Sequence, residues 1–250
     1  MKTQQCISIV LTFILFQVSQ AQTELAVFAG SQFNRFQQEI KDYPDEDLNV
    51  QVRYHFGVRA DHELSERFTL RTSLAYMRKG ASLDYEGSED QGGWEYVDGY
   101  DRFIVNYLHI PVQLAFNSGH FSFLVGPYAG VALSARNKYD VDWRITDLSG
   151  NSRVENFADD EEIKPIFRKV KDEDYEDAEG GFIRGLDFGV ELGLSYRMGD
   201  FEASVFFSQG LRNILPKEEG FEEEYNDYVL RNQNFGLSLA YFIQRKNTVD

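Results

Sequence analysis

The dominant pattern beyond residue 21 is strict alternation. Leu186, Phe188, Val190, Leu192, Leu194 and Tyr196 alternate with Asp187, Gly189, Glu191, Gly193, Ser195 and Arg197, a period of two that predicts a strand longer than most soluble ones. Val50, Val52, Tyr54, Phe56 and Val58 alternate with Gln51, Arg53, His55, Gly57 and Arg59. Phe68, Leu70, Leu74 and Tyr76 oppose Thr69, Arg71, Ser73 and Ala75, while Phe235, Leu237, Leu239, Tyr241 and Ile243 oppose Gly236, Ser238 and Ala240. Further segments near 24–34, 102–116, 120–135 and 201–212 bring the strands to eight, enough for the smallest common closed barrel.

Connection lengths alternate as well. Asp61 to Glu66, Asn117-Ser118-Gly119 and Met198-Gly199-Asp200 are short, with Gly or Asp suited to tight turns. Arg35 to Asn49, Glu86 to Asp101, Asn137 to Ile183 and Asn213 to Asn232 are long. Barrels of the bacterial outer membrane have this asymmetry, with short periplasmic turns and long extracellular loops. An even strand count puts both chain ends in the periplasm.

The 250 residues carry a formal charge of -16, 26% charged and 42% hydrophobic residues, which suits a folded chain and disfavours nucleic acid as a partner. A mean hydropathy of -0.43 argues against membrane helices but not against strands whose apolarity is hidden by alternation. At the N-terminus Lys2, the apolar run Ile7 to Phe16 and Ser19-Gln20-Ala21 read as a signal peptide over 1–21, cleaved after Ala21, ahead of a barrel domain over 22–250. The single cysteine, Cys6, precedes the apolar run and leaves with it. The mature chain would then have no disulfide, thiol nucleophile or Cys-zinc site.

A soluble lipocalin-like periplasmic barrel would also alternate. The polar face separates the two readings, because a water-facing surface carries many long charged side chains. Here it carries Gly57, Gly126, Gly130, Gly189, Gly193, Gly236, Ser73, Ser195, Ser204 and Ala240, which suit the inside of a narrow barrel. The charges on that face, Arg53, Arg59, Arg71, Glu191, Arg197 and Glu202, have both signs and are expected to form a polar network in the lumen, since unpaired buried charge is costly. Tyr54, Phe56, Tyr76, Tyr107, Tyr196, Phe201, Tyr241 and Phe242 fall mostly toward strand ends and are expected in interfacial girdles. Pro111 and Pro127 lie inside strands and predict bulges or local breaks.

The stretches Leu74-Ala75-Tyr76-Met77-Arg78-Lys79-Gly80, Asn106-Tyr107-Leu108-His109-Ile110-Pro111, Gly126-Pro127-Tyr128-Ala129-Gly130, Phe188-Gly189-Val190-Glu191-Leu192-Gly193 and Ser208-Gln209-Gly210-Leu211-Arg212-Asn213-Ile214 resemble, in order and spacing, the outer-membrane β-barrel family widespread in Bacteroidetes, often labelled porin-family or PorT-like. The resemblance implies an OmpA-like eight-stranded antiparallel barrel, makes the two prolines family features, and implies little chemistry. His109 stands where the family pattern has an acidic residue before Ile-Pro. In the last strand Asn234, Gly236, Leu239 and Tyr241 resemble the signal read by the barrel insertion machinery, whose physical basis would be strand pairing with the insertase edge.

Chemistry is sparse. Asp172, Asp174, Glu176 and Asp177 lie in the third long loop near Asp159-Asp160-Glu161-Glu162, with Glu218, Glu219 and Glu222-Glu223-Glu224 in the fourth. Clustered carboxylates suit Ca²⁺, but the Asp172 run lacks the glycine and terminal glutamate of an EF-hand loop. Lys164, Arg168, Lys169 and Lys171 interleave, which favours a solvated, locally paired loop. Of the histidines, His55 and His109 are expected to face the lumen and His62 and His120 to lie near periplasmic turns, with no serine assignable beside any of them.

The expectation is therefore an all-β, up-and-down transmembrane barrel in the bacterial outer membrane, without cofactor, metal or catalytic set. Its leading role is structural or interactive, through acidic extracellular loops, with outer-membrane lipid, the insertion machinery and an extracellular ligand or protein as partners. A barrel enzyme acting on lipid or protein and a narrow channel are the alternatives.

Overall fold

The computed structural model describes residues 23–40, 49–86, 94–146, 150–171, 173–174, 181–216 and 228–244. The expected signal peptide, Asp172, Glu176, Asp177 and the Glu218 to Glu224 acids lie outside them. Ten strands follow in order: β1 (Thr23–Ile40), β2 (Gln51–Ser65), β3 (Phe68–Glu86), β4 (Trp94–Ser118), β5 (Phe121–Thr146), β6 (Ser152–Ile166), β7 (Phe182–Arg184), β8 (Leu186–Met198), β9 (Phe201–Gly210) and β10 (Tyr228–Gln244).

Eight of them close a ring. The sheet runs β4-β3-β2-β1-β10-β9-β8-β5, and β4 pairs with β5 to complete it. All ring pairings are antiparallel, so the backbone has no unpaired edge where it faces lipid. The turns at Glu66-Arg67, Gly119-His120 and Gly199-Asp200 occupy one end with the start of β1 and the end of β10. Gly119 and Gly199 supply left-handed φ values of 62° and 64° there.

Alternation turns apolar side chains outward. On β8 Phe188, Val190 and Leu192 are 48%, 43% and 52% exposed, while Asp187 and Glu191, of the opposite parity, are buried. The same holds for Val52, Tyr54, Phe56 and Val58 on β2 and for Phe235, Leu237 and Leu239 on β10. A continuous apolar exterior around a polar interior inverts the arrangement of a soluble barrel, and its natural solvent is hydrocarbon.

Three expectations are corrected. Tyr107 and Phe242 belong to the interior, at 0% and 2% exposure; the alternation that turns Tyr241 outward necessarily turns Phe242 inward. Outward aromatics do cluster, as Tyr54, Phe56 and Tyr76 stacked on one flank and Phe121, Tyr196, Phe201 and Tyr241 near the turn end. At Pro111 and Pro127 no register shift occurs: Pro111 pairs with Tyr128 and Pro127 with Val190, in the register of their neighbours. The local break expected there does occur, as ladder pairing lapses between Pro111 and Leu114 against β5 and between His109 and Val112 against β3, while the nearest register shift falls between Asn106 and Tyr107, where Leu133 is the extra residue on β5.

The third correction concerns the span from Asn137 to Ile183, expected as a loop. β5 continues to Thr146 and turns back as β6, pairing from Thr146↔Ser152 to Ala135↔Ile163. A membrane span takes roughly 9–11 residues of strand, whereas β4 and β5 have 25 and 26. The surplus carries β3, β4, β5 and β6 beyond the barrel mouth as a projecting sheet. Its base is apolar: Ile163, Ile183 and Ile214 pack with Phe36, Val105, Tyr107 and Ala135 in one buried cluster.

Candidate functional site

The lumen is filled by side chains in three levels, ordered by strand register from the turn end. The first is ionic. Arg71 on β3 donates from Nε and Nη2 to Asp61 on β2 at 3.0 and 2.8 Å, and from Nη1 and Nη2 to Glu202 on β9 at 2.9 and 3.0 Å. Arg59 Nη1 donates to the same Glu202 oxygen at 2.9 Å, and its Nε lies 3.3 Å from Asp61. Two cations and two anions from three strands thus neutralise one another in a level that is almost wholly buried. Beside it Arg197 grips Glu24 with two hydrogen bonds, at 2.6 and 3.0 Å, and stacks on Phe242 at 3.9 Å.

The middle level is neutral to acidic. Glu191 accepts from Gln113 Nε2 at 2.9 Å and lies 3.1 Å from His109 Nε2. His109 therefore brings a lumen carboxylate into contact from β8, although its own position was expected to be acidic. His55 Nε2 is 2.6 Å from Ser238 Oγ, and the ring meets Phe206 edge-on. Sequence reasoning assigned no serine beside a histidine, because β2 and β10 are not adjacent in the ring and only closure brings them together. The pair lacks an acid to orient it: Nδ1 of His55 has no hydrogen-bond partner. The neighbouring cavity, ≈ 60 Å³, has room for a few waters but not for a lipid or peptide substrate.

The third level was missed entirely. Lys79 Nζ donates to Asp187 Oδ2 at 3.1 Å, with both side chains at 0% exposure. The same oxygen accepts from Tyr128 Oη at 3.2 Å and Asn232 Nδ2 at 2.9 Å, and the ammonium lies 4.5 Å from the Tyr128 ring. Lys79 shares the inward parity of Arg71 and Asp187 that of Glu191, so parity was the available signal. Of the expected network, Arg59, Arg71 and Glu202 converge, Arg197 and Glu191 find other partners, and Arg53 joins none of them, its Nη1 donating to the carbonyl of Val52.

The loop acids do not converge on an ion. Asp174, the described member of the expected cation set, is gripped by Arg168 at 2.7 and 2.5 Å and capped by the Lys171 N–H at 2.8 Å. These contacts, the Arg168 hydrogen bonds foremost, hold its carboxyl down at about 2. Higher on the sheet, Asp84, Asp98, Asp140, Asp142, Tyr100, Arg102 and Asn156 line an open cleft of ≈ 370 Å³. There Asn156 Nδ2 donates to Asp140 and Asp142, both at 2.9 Å. Among the described residues no group of three metal-ligating side chains has a geometry suited to an ion.

The last-strand pattern is split between the faces. Asn234 is buried and donates to Ser208 Oγ at 2.9 Å, while Leu239 and Tyr241 face outward. Gly236 lies under the Phe206 ring, where an added Cβ would come within 2.2 Å of Cζ. Gly236→Val is expected to prevent refolding of the pure protein into detergent, and Gly236→Val with Phe206→Ala to restore it. Full recovery of the double variant in detergent, read as the heat-modifiable gel band, would assign the glycine a steric role; no recovery would argue against one.

The sequence family described as outer membrane protein beta-barrel domain matches residues 19–215. No curated protein matches the chain. Among solved structures, Ail of Yersinia pestis, crystallised with the heparin analogue sucrose octasulfate, is 10% identical, with 89% of this chain and 99% of that one covered and a TM-score of 0.37. Neisserial surface protein A is 11% identical over 88% and 98% of the two chains at a TM-score of 0.40, and OprG of Pseudomonas aeruginosa 9% identical over 90% and 98% at 0.31. An alternating exterior, a closed antiparallel ring of eight strands and a match over most of the sequence agree: the chain belongs to the outer membrane protein beta-barrel domain family and is a protein of the bacterial outer membrane.

Proposed function

We propose that this barrel is a non-conducting membrane anchor that presents an acidic sheet to the outside. The observation that carries the reading is the continuation of β3 to β6 beyond the barrel, with Asp159, Asp160, Glu161 and Glu162 consecutive on its last strand. Inside, three levels of paired side chains and the cluster of Ile163, Ile183 and Ile214 crowd the lumen among the described residues, which supports the non-conducting reading. A Bacteroidetes, PorT-like affiliation is supported by the residue stretches that resemble that family, an N-terminal signal over 1–21 by Lys2, the apolar run Ile7 to Phe16 and Ser19-Gln20-Ala21, and a last strand read by the insertion machinery by the spacing of Asn234, Gly236, Leu239 and Tyr241.

Two measurements test the reading. In planar bilayers the refolded protein is expected to give no conductance steps at neutral pH, and regular steps would favour the narrow channel instead. In nanodiscs it is expected to bind a basic test protein, cytochrome c, in a salt-sensitive manner. The combined substitution D159N, D160N, E161Q and E162Q should remove most of that binding. Undiminished binding by this variant would show that the strand is not the contact surface.

A further inference from the structure

β6 has a partner on one side only along most of its length. Residues 152–163 pair with β5, while on the other side three residues of β7 pair with Lys164, Pro165 and Ile166. Among the described residues no strand covers the remaining edge from Ser152 to Ile163. The direction of its backbone groups follows from the contacts at its base. Lys164 N donates to Gly181 O and Ile166 O accepts from Gly185 N, both on the side away from β5. Alternate residues of a strand point both main-chain groups to the same side. Val154, Asn156, Ala158 and Glu162 therefore offer their N–H and C=O groups to the open edge. Asp160 has the same parity, but its N–H is bonded at 2.7 Å to the carboxylate of Asp159, which leaves its carbonyl for the edge.

Charge then selects what can pair there. On the face of even-numbered residues, Asp160 and Glu162 stand opposite Lys138 and Arg136 of β5, and Arg136 Nη1 lies 3.6 Å from Asp160. On the other face Asp159 and Glu161 stand opposite Tyr139 and Asn137, so β5 supplies them no cation. A second copy would set acids against acids, which is destabilising across strands. A basic strand would have the opposite effect.

We infer that the Ser152–Ile163 edge of β6 receives an extended, lysine- or arginine-rich segment of another protein by strand addition, with basic side chains at alternate positions over Asp159 and Glu161. This rests on the proposed role of the acidic sheet and names its partner class. Backbone hydrogen bonds to Val154, Asn156 and Ala158, and to the carbonyl of Asp160, would give the segment its extended form, and the carboxylates would give it its charge preference.

The test uses the full-length protein in nanodiscs and a ten-residue peptide of alternating lysine and valine. Binding is followed by titration calorimetry, and strand formation by isotope-edited infrared spectroscopy of the labelled peptide. The peptide is expected to bind and gain strand signal. A version with the same charges but N-methylated alternate amides should bind at least about tenfold more weakly, since blocked strand hydrogen bonds are lost together. Ala158→Pro removes an edge N–H that β5 does not use, and should weaken the unmodified peptide by a similar factor while the heat-modifiable barrel is retained. Asp159→Asn with Glu161→Gln should weaken it and spare a neutral serine-valine peptide. Equal binding of plain and N-methylated peptides overturns strand addition while leaving the acidic-surface role intact. So would a stable dimer whose β6 edge is occupied by a second copy. Loss of cytochrome c binding in the same nanodiscs would instead strike at the broader role.

Discussion

Glu202→Ala should lower the stability of the folded barrel by about 3–5 kcal/mol, the cost of leaving a buried charge without its partner. Glu202 accepts from both Arg59 and Arg71, and its removal leaves two guanidinium groups, each about 6% exposed, sharing only Asp61. Their mutual repulsion is then no longer offset. Glu202→Gln keeps the shape but not the charge, so it should recover only a small part of the loss. The Arg71→Met and Glu202→Leu pair, which takes one charge of each sign out together, should cost less than the sum of the two single changes, because the remaining Arg59 and Asp61 still neutralise each other. Equilibrium unfolding in denaturant from lipid vesicles reads these differences, with the gel shift as a check that the barrel closes. A Glu202→Ala cost below about 1 kcal/mol would mean that water reaches this level and screens it, as in an exposed ion pair.

The fold was legible because alternation is a property of adjacent residues. Leu186 to Tyr196 and Phe235 to Ile243 announce their two faces without reference to the rest of the chain, and the short turns at Gly119 and Gly199 fix which strands are neighbours. What failed depended on contacts between residues distant in sequence. His55 and Ser238 meet only because the ring closes through β1. Ile163, Ile183 and Ile214 look like isolated apolar residues in polar loops, yet they share one cluster at the mouth. The end of β5 keeps the alternation, with Tyr139, Val141, Trp143 and Ile145 opposite Lys138, Asp140, Asp142 and Arg144, whereas β6 hides its strand because Asp159 to Glu162 are polar on both faces and leave no period of two. Parity would have recovered one more feature. Counting by twos from Arg71 reaches Lys79, and from Glu191 reaches Asp187, so the deepest ion pair was written in the same alternation as the strands.

That pair yields the second large effect. Lys79→Met should cost about 3–5 kcal/mol by leaving Asp187 buried without its cation. The carboxylate would keep Tyr128 Oη and Asn232 Nδ2 as donors, but both converge on Oδ2, and Oδ1 already has no hydrogen-bond partner. Two neutral donors do not replace a charge at a site with 0% exposure. Adding Asp187→Leu should return most of the lost stability, since an apolar pair of similar volume can match or exceed a buried ion pair. It should not return all of it, because Tyr128 Oη and Asn232 Nδ2 then lose their acceptor. The order expected in vesicle unfolding is therefore wild type, then the double variant, then Lys79→Met. The opposite order of the last two would mean that the Tyr128 and Asn232 hydrogen bonds to Asp187, more than the charge pair, hold the barrel at this level.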